Sequence, residues 1–376
     1  MEQFVQEQMA GMPPVIEGVS LHGQVVIITG ANVGLGYEAA KHFAIREPAK
    51  LIMVCRSEKK GQDALEKLKS ETGFQNIELW ILDLGSFSSI VAIKDKIDRL
   101  ERLDMLVENA AVCMYQYEVT GDGWETTLQV NVLGIALHII LHLPKLLETA
   151  KKHPEHVPRV VMVSSNYHHW ETFSAEAIQA DNTLKFINAK DQFGGAEKRY
   201  AESKLLGVMF IRALQSHLST VTCCSVHPGF CDSELTRHAR GEDAEKVKQY
   251  KSQMAFTCEE GSRPIVYASI GQRDREEELR GGYVAFNKVS ECSDYILGEE
   301  GQSVERKVWA EVVELFKGRK DESVNEIIEL IDESFVASLA TDGGSTATAP
   351  DPLNTHGDAA KNIHRVQIPG RKFHKD

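Results

Sequence analysis

The chain has 376 residues, 42% hydrophobic and 26% charged, with a formal net charge of -13. That length can bury one large core or two smaller ones, and the composition is that of an ordinary soluble globular protein. The acidic balance, relieved only by local basic spots at Lys59-Lys60 and Arg371-Lys372, argues against a nucleic-acid backbone as principal partner.

Residues 1–20 lack a basic segment followed by an apolar one, so no secretory leader is expected. Residues 1–21 read as an N-terminal arm, either packed on the body through Phe4, Val5 and Met9 or simply disordered. No run approaches the roughly 20 apolar residues that cross a bilayer, so no membrane span is expected. The seven cysteines follow no regular spacing and include no Cys-x-x-Cys pair. They read as buried free thiols of a reducing compartment, which places the protein in the cytoplasm.

Apolar runs of strand length recur at 25–29, 51–55, 77–82, 105–108, 160–164 and 221–226. Amphipathic stretches suited to crossover helices separate them, at 37–46, 60–70, 90–100, 128–149 and 203–218. Continuous apolar strands alternating with helices predict an α/β fold, with a doubly wound, mostly parallel sheet covered on both faces. After Pro228-Gly229 the alternation weakens. Helices are predicted at 246–254, 259–269 and 304–316, with a late strand within 281–286. A C-terminal helical extension, 318–340, follows; Ser323 and Glu326 make a capping box for 324–331, whose apolar stripe needs the parent domain or a second subunit as partner. Residues 341–376 read as a mobile tail, because 341–362 are too rich in Gly, Ser, Thr, Ala and Pro to offset their ordering entropy.

The first strand turns into the first helix through Thr29-Gly30-Ala31-Asn32-Val33-Gly34-Leu35-Gly36. Glycines 30, 34 and 36 permit a tight turn and close approach of backbone to a pyrophosphate, which the helix N-terminus favours. The second strand ends in Cys55-Arg56-Ser57, with no acid to accept from ribose hydroxyls. Arg56 can fork onto a 2′-phosphate, with Ser57 or Lys60 assisting, so NADP(H) is the expected cofactor. Asp83-Leu84 after strand three suit an adenine pocket. Asn109-Ala110-Ala111 after strand four let the chain pass close under the cofactor.

Tyr200 and Lys204 lie four apart, on one helix face. A phenol has a reference pKa near 10, and a neighbouring ammonium is expected to lower it toward use in proton transfer. Reduction of a carbonyl needs that service, since the carbon accepts hydride while the oxygen accepts a proton. Ser165, with Ser164 as its alternative, ends strand five where its hydroxyl could meet the substrate oxygen. Asn131 puts an amide into an apolar helix, where an ordered water linking it to Lys204 is the expected partner.

Taken together, TGANVGLG at 29–36, CR at 55–56, DL at 83–84, NAA at 109–111, Asn131, Ser164-Ser165, YAESK at 200–204 and HPG at 227–229 resemble the short-chain dehydrogenase/reductase family. The likeness covers about 22–317 and is nearest to its retinol-dehydrogenase-like branch with WW-domain oxidoreductase relatives. It implies one Rossmann-type catalytic domain over 22–317 with a tetrad of Asn131, Ser165, Tyr200 and Lys204. In that tetrad Tyr200 is acid in reduction and base in oxidation, Lys204 holds the nicotinamide ribose, and Asn131 positions a relay water. Asn32, Val33 and Leu35 join the cofactor cradle, and Pro228, Gly229 and Ser233 flank the nicotinamide.

Three departures stand out. The family's Asn-Asn-Ala-Gly is here Glu108-Asn109-Ala110-Ala111, so strand four should be held differently. Ser233 replaces a common threonine. Ser165 and Tyr200 are 35 positions apart instead of about a dozen, and the extra chain, about 171–197, is expected as a flap over the substrate cleft. Tyr167, His168, Trp170 and Phe230, with Leu184, Phe186 and Phe193 of the flap, are expected to form an apolar pocket. Such a pocket suits a bulky lipophilic ketone, aldehyde or alcohol, polyketide-, terpenoid- or retinoid-like, as in secondary metabolism. No ligand set for a metal accompanies His168-His169. A homodimer is possible and a monomer is not excluded. The alternatives are a catalytically silent NADP(H)-binding scaffold, or an epimerase or dehydratase of the same fold.

Overall fold

Strand β1 (Val25–Thr29) is buried at all of its residues and pairs in parallel with β2 (Lys50–Cys55) on one side and β4 (Met105–Glu108) on the other. Val26 lies between Leu51 and Met105 in that register. A strand covered on both faces must be apolar throughout, which is why this one shows no alternation. With β3 (Ile77–Ile81), β5 (Arg159–Val163), β6 (Thr222–His227), β7 (Tyr283–Ala285) and β8 (Lys288–Ser290), the sheet has eight strands in the order β3-β2-β1-β4-β5-β6-β7-β8. Every pairing is parallel except β7 with β8. This is a doubly wound, Rossmann-type sheet with one antiparallel edge. The structure, a computed structural model, describes residues 2–319, 322, 324–329 and 331.

One apolar layer lies on each face. The larger contains Trp80, Phe87, Leu137 and Phe210, and the other contains Ile28, Phe43, Leu65 and Ile265. Thr126–Lys152 is long and apolar enough, by length and composition, to cross a membrane, although no such run was expected; 78% of its apolar window is buried inside the protein. Its apolar surface belongs to the core.

Several elements differ from expectation. The stretch 90–100 is two short helices, Phe87–Val91 and Lys94–Asp98, not one. The helix predicted to begin at 203 begins at Ala196. Strand β8 was not foreseen. It returns through Phe286 and Asn287, at φ +49° and +55°, a mirror-image two-residue turn without the glycine that signals one. Of the C-terminal extension, the described residues Val324, Ile327, Ile328 and Ile331 are buried in the larger apolar layer. The stripe therefore packs on the parent domain. The tail at 341–376 lies outside the described residues.

The N-terminal arm begins with a helix, Glu2–Ala10, and is strapped across the body. Arg263 donates to the carbonyls of Met12 and Pro13 at 3.3 and 3.4 Å, and Asn287 to that of Pro14 at 2.9 Å. Of the three expected anchors, Met9 points outward, 68% exposed; buried Gln8 and Met12 do its work.

Candidate active site

The carboxyl ends of β1 to β6 open on one cleft of about 1180 Å³, the place where open α/β sheets present their loops to ligands. The turn after β1 forms its floor. Gly30 adopts φ +66°, a left-handed conformation, and a Cβ there would sit 3.0 Å from the Ala110 Cα. A Cβ on Gly36 would stand 2.4 Å from both the Gly30 carbonyl oxygen and Asn109 Nδ2. Gly36 thus lies beneath the cleft, while Gly30, Asn32, Val33, Gly34 and Leu35 line it. The helix Gly34–Ala44 has no side-chain cap and no acid in its first turn. By contrast, Ser57 caps the helix Glu58–Thr72. Uncapped N–H groups at the head of a helix fit a pyrophosphate, so the turn passes a physical test for a dinucleotide.

Arg56, Ser57 and Lys60 line the same cleft beyond β2, and Asp83 and Leu84 line it beyond β3. Arg56 is exposed there. Asp83 Oδ1 accepts from Gly85 N at 2.9 Å, which shapes the turn.

The departure after β4 has a structural account. Thr29 donates through Oγ1 to Glu108 at 3.0 Å, and that same oxygen accepts from the backbone N–H groups of Asn109 and Ala110, at 3.0 and 3.1 Å. Glu108, fully buried, is held from the other side by His138 Nδ1 at 2.5 Å. The acid thus orients the threonine hydroxyl so that its lone pairs face two N–H groups. Asn109 Nδ2 completes the join by donating to the Thr29 carbonyl at 2.9 Å. Asn109, Ala110 and Ala111 all face the cleft.

The helix Ala196–Ser216 carries Tyr200 and Lys204 into the cleft on one face. Lys204 is 1% exposed; its Nζ donates to the Val163 carbonyl at 2.8 Å and stands 5.4 Å from the centre of the Tyr200 ring. Burial lowers this ammonium from its ordinary value to about 8. The expectation for Tyr200 is reversed. Burial raises its phenol above the ordinary value, and a hydrogen bond with the Ser165 hydroxyl only partly opposes that. Desolvating an anion costs more than that one hydrogen bond returns. Ser164 spends its hydroxyl on the Lys204 carbonyl at 3.4 Å, which leaves Ser165 as the hydroxyl at the phenol.

Asn131 sits in a π-helical turn, Gln129–Gly134, fully buried and off the cleft wall. Its amide exchanges two 2.8 Å bonds with the backbone of Val112 and donates to Ser203 Oγ at 3.1 Å. It therefore bolts the chain after β4 to the helix of Tyr200.

Tyr167, Trp170 and Phe230 line the cleft, as do Pro228, Gly229 and Ser233, but His168 does not. Residues Asn166–His169 form a 3₁₀ turn, in which positions three apart eclipse; Tyr167 and Trp170 share the cleft side and His168 faces inward. Its Nδ1 donates to the Ser165 carbonyl at 2.7 Å, its Nε2 accepts from Ser293 N at 3.2 Å, and burial lowers its pKa to about 3. The 171–197 stretch does not hang over the cleft as an apolar flap. Leu184 and Ile187 are buried in the core, and Glu311 of the helix Glu299–Lys317 accepts from the backbone N–H groups of Thr183 and Leu184, at 2.7 and 2.9 Å. Only Gly194, Gly195, Ala196 and Glu197, at its end, reach the cleft.

Sequence reading gives Phe4 and Val5 only as anchors of the arm, not as cleft wall, and misses Cys113, Tyr115 and the wall of the helix Gly241–Met254, including Tyr250 and Met254. None belongs to a motif. The outward apolar residues of that helix, which has no buried side chain, are a hint to that wall. Among the described residues no group of His, Cys, Asp and Glu is placed to hold a metal.

Residues 24–176 match the family described as short chain dehydrogenase. The chain is 34% identical over 274 residues to the short chain dehydrogenase sol3 of Alternaria solani, spanning 72% of this chain and 93% of that one. Among solved structures, an uncharacterized protein of Mycobacterium paratuberculosis aligns at TM-score 0.58 and 24% identity, over 81% of this chain and 96% of its own. A short chain dehydrogenase of Escherichia coli CFT073, complexed with NADPH, aligns at 0.53 and 19%, over 72% and 99%. Both show a shared fold.

Proposed function

Since the chain belongs to the short-chain dehydrogenase family, oxidoreductases that use nicotinamide cofactors, we propose that it is an NADP(H)-dependent reductase of bulky lipophilic ketones or aldehydes. The observation that carries this reading is the opening of Tyr200, Ser165 and Lys204 onto the same cleft as the uncapped glycine turn and Arg56.

NADP(H) bound in the cleft would supply the hydride. The turn after β1 would hold its pyrophosphate, Arg56 with Ser57 or Lys60 its 2′-phosphate, and Asp83 and Leu84 its adenine. Asn109 to Ala111 would lie under it, with Pro228, Gly229 and Ser233 beside the nicotinamide. Tyr200 gives its proton to the substrate oxygen and regains one from solvent. Ser165, bonded to that phenol in the free chain, turns its one hydroxyl proton to the same substrate oxygen and fixes the carbonyl. Lys204, protonated below about 8, stabilises the phenolate left behind and holds the ribose. Asn131 keeps the helix of Tyr200 in register with the chain after β4.

The substrate end is lined by Tyr167, Trp170, Phe230 and Met254, an apolar and aromatic surface large enough for a polycyclic ketone beside a dinucleotide. The complex of the E. coli neighbour with NADPH accords with the cofactor at the level of the fold. The test is loss of NADPH absorbance with a panel of aromatic and aliphatic ketones, repeated with NADH. Turnover preferring NADPH supports the reading. Tight NADPH binding with no turnover of any ketone or aldehyde would sink it in favour of a silent scaffold, and product without cofactor consumption would indicate an epimerase or dehydratase.

A further inference from the structure

Four aromatic rings run outward from the reacting end of the cleft. Tyr200 meets Tyr167 at 5.7 Å between ring centres, Tyr167 meets Trp170 at 5.2 Å, and Trp170 meets Phe4 at 5.7 Å with planes at 84°. The row begins on the phenol that would supply the proton and ends on the N-terminal helix. We propose that the helix Glu2–Ala10 is the outer wall of the substrate site and that Phe4 makes the site selective for flat, aromatic substrates. The proposal deepens the reductase reading and rests on it.

The helix is fixed against the cleft's own walls. Gln8, 3% exposed, donates through Nε2 to the Phe230 carbonyl at 2.9 Å and to the Met254 carbonyl at 2.7 Å, and its Oε1 accepts from Phe230 N at 3.0 Å. One buried amide thus joins the helix to the loop after β6 and to the end of the helix Gly241–Met254. Lys288 and Glu7, 3.6 Å apart, add an exposed ion pair. On the same helix Met9 turns away, so the inward face is set by Phe4, Val5 and Gln8.

Trp170 is still 41% exposed beside Phe4. Edge-to-face packing leaves an indole face uncovered, and a planar apolar ligand gains by covering it. A small aliphatic ketone would reach Tyr200 without touching either ring. Selectivity should therefore appear as a ratio between large and small substrates.

The experiment uses the full chain, saturating NADPH, and two substrates, 2-acetylnaphthalene and butanone, for the parent, Phe4→Ala, Phe4→Leu and Met9→Ala. Calorimetric titration of the aromatic ketone in the presence of NADP⁺ runs alongside. The ratio of kcat/KM, aromatic over aliphatic, should fall at least about tenfold in Phe4→Ala, mostly through KM, with Phe4→Leu between. Met9→Ala should hold the parent's ratio. A Phe4→Ala ratio within about twofold of the parent, or an equal fall in Met9→Ala, overturns the proposal. Should the parent reduce neither these ketones nor any ketone or aldehyde of the panel, weaker aromatic binding in Phe4→Ala but not Met9→Ala would keep the wall and remove the reductase reading. No binding by the parent would remove both.

Discussion

The two halves of the cleft are built in different ways. The cofactor half is backbone: a glycine turn, an uncapped helix end, and strand ends joined by Thr29, Glu108 and Asn109 over a few ångströms. The substrate half is side chains from segments remote in sequence: the N-terminal helix, the 3₁₀ turn at Asn166–His169 and the helix Gly241–Met254. A backbone cradle tolerates little change, because each position is set by closeness or by φ. A wall of side chains can be refitted one residue at a time, so the first half should break and the second should retune.

Four measurements press on that contrast. The largest effect is expected where the halves meet: Tyr200→Phe should lower kcat about 10²- to 10⁴-fold, the range of a lost general acid, with far less change in NADPH affinity by fluorescence titration. Unchanged ketone turnover would remove Tyr200 from the chemistry. Next, Arg56→Ala should weaken NADPH by about 10- to 100-fold and NADH much less, the loss of a charged bond of about 1.5–3 kcal/mol. Equal weakening of both cofactors would make Arg56 a mere surface charge. Gly36→Ala forces a methyl onto the Gly30 carbonyl, and overpacking of about 1–3 kcal/mol should weaken both cofactors alike, about tenfold, and lower Tm. Full retention of affinity would mean that the cradle has slack.

The smallest effect is one of pH. Burial has lowered Lys204 to about 8, so its charge is present below that pH and lost above it. The raised Tyr200 stays protonated through the same range. Reductive kcat/KM at saturating NADPH should therefore be level below pH 8 and decline above it, by at most about tenfold per unit. A profile level to pH 10 would show that the lysine charge is not needed.

The cofactor half was legible because its requirements are local. Gly30 and Gly36 answer to a turn and a contact within one octapeptide, and Tyr200 with Lys204 answers to the pitch of one helix. Glu108 was visible as a departure, but its partner His138, thirty positions on, was not. The errors share a cause. Adjacency groups His168 with Tyr167 and Trp170, whereas the period of a 3₁₀ turn separates them. Leu184 reads as pocket from its apolar neighbours, whereas Glu311, 127 positions away, takes its backbone N–H into the core. The Tyr200–Lys204 spacing predicts a lowered phenol, whereas desolvation, which no spacing reveals, raises it.

From residue order alone came the doubly wound sheet, the glycine turn after its first strand, and the helix pairing a phenol with an amine. The turn and the pair depend on spacings that a short peptide already contains, and the sheet on the alternation of apolar runs with amphipathic stretches. Tertiary structure alone decided which surfaces face the substrate. Gln8 finds Phe230 across 222 positions, and Phe4 meets Trp170 although β1 to β5 lie between them in the chain. Such contacts depend on where whole elements come to rest after packing, which local spacing does not encode.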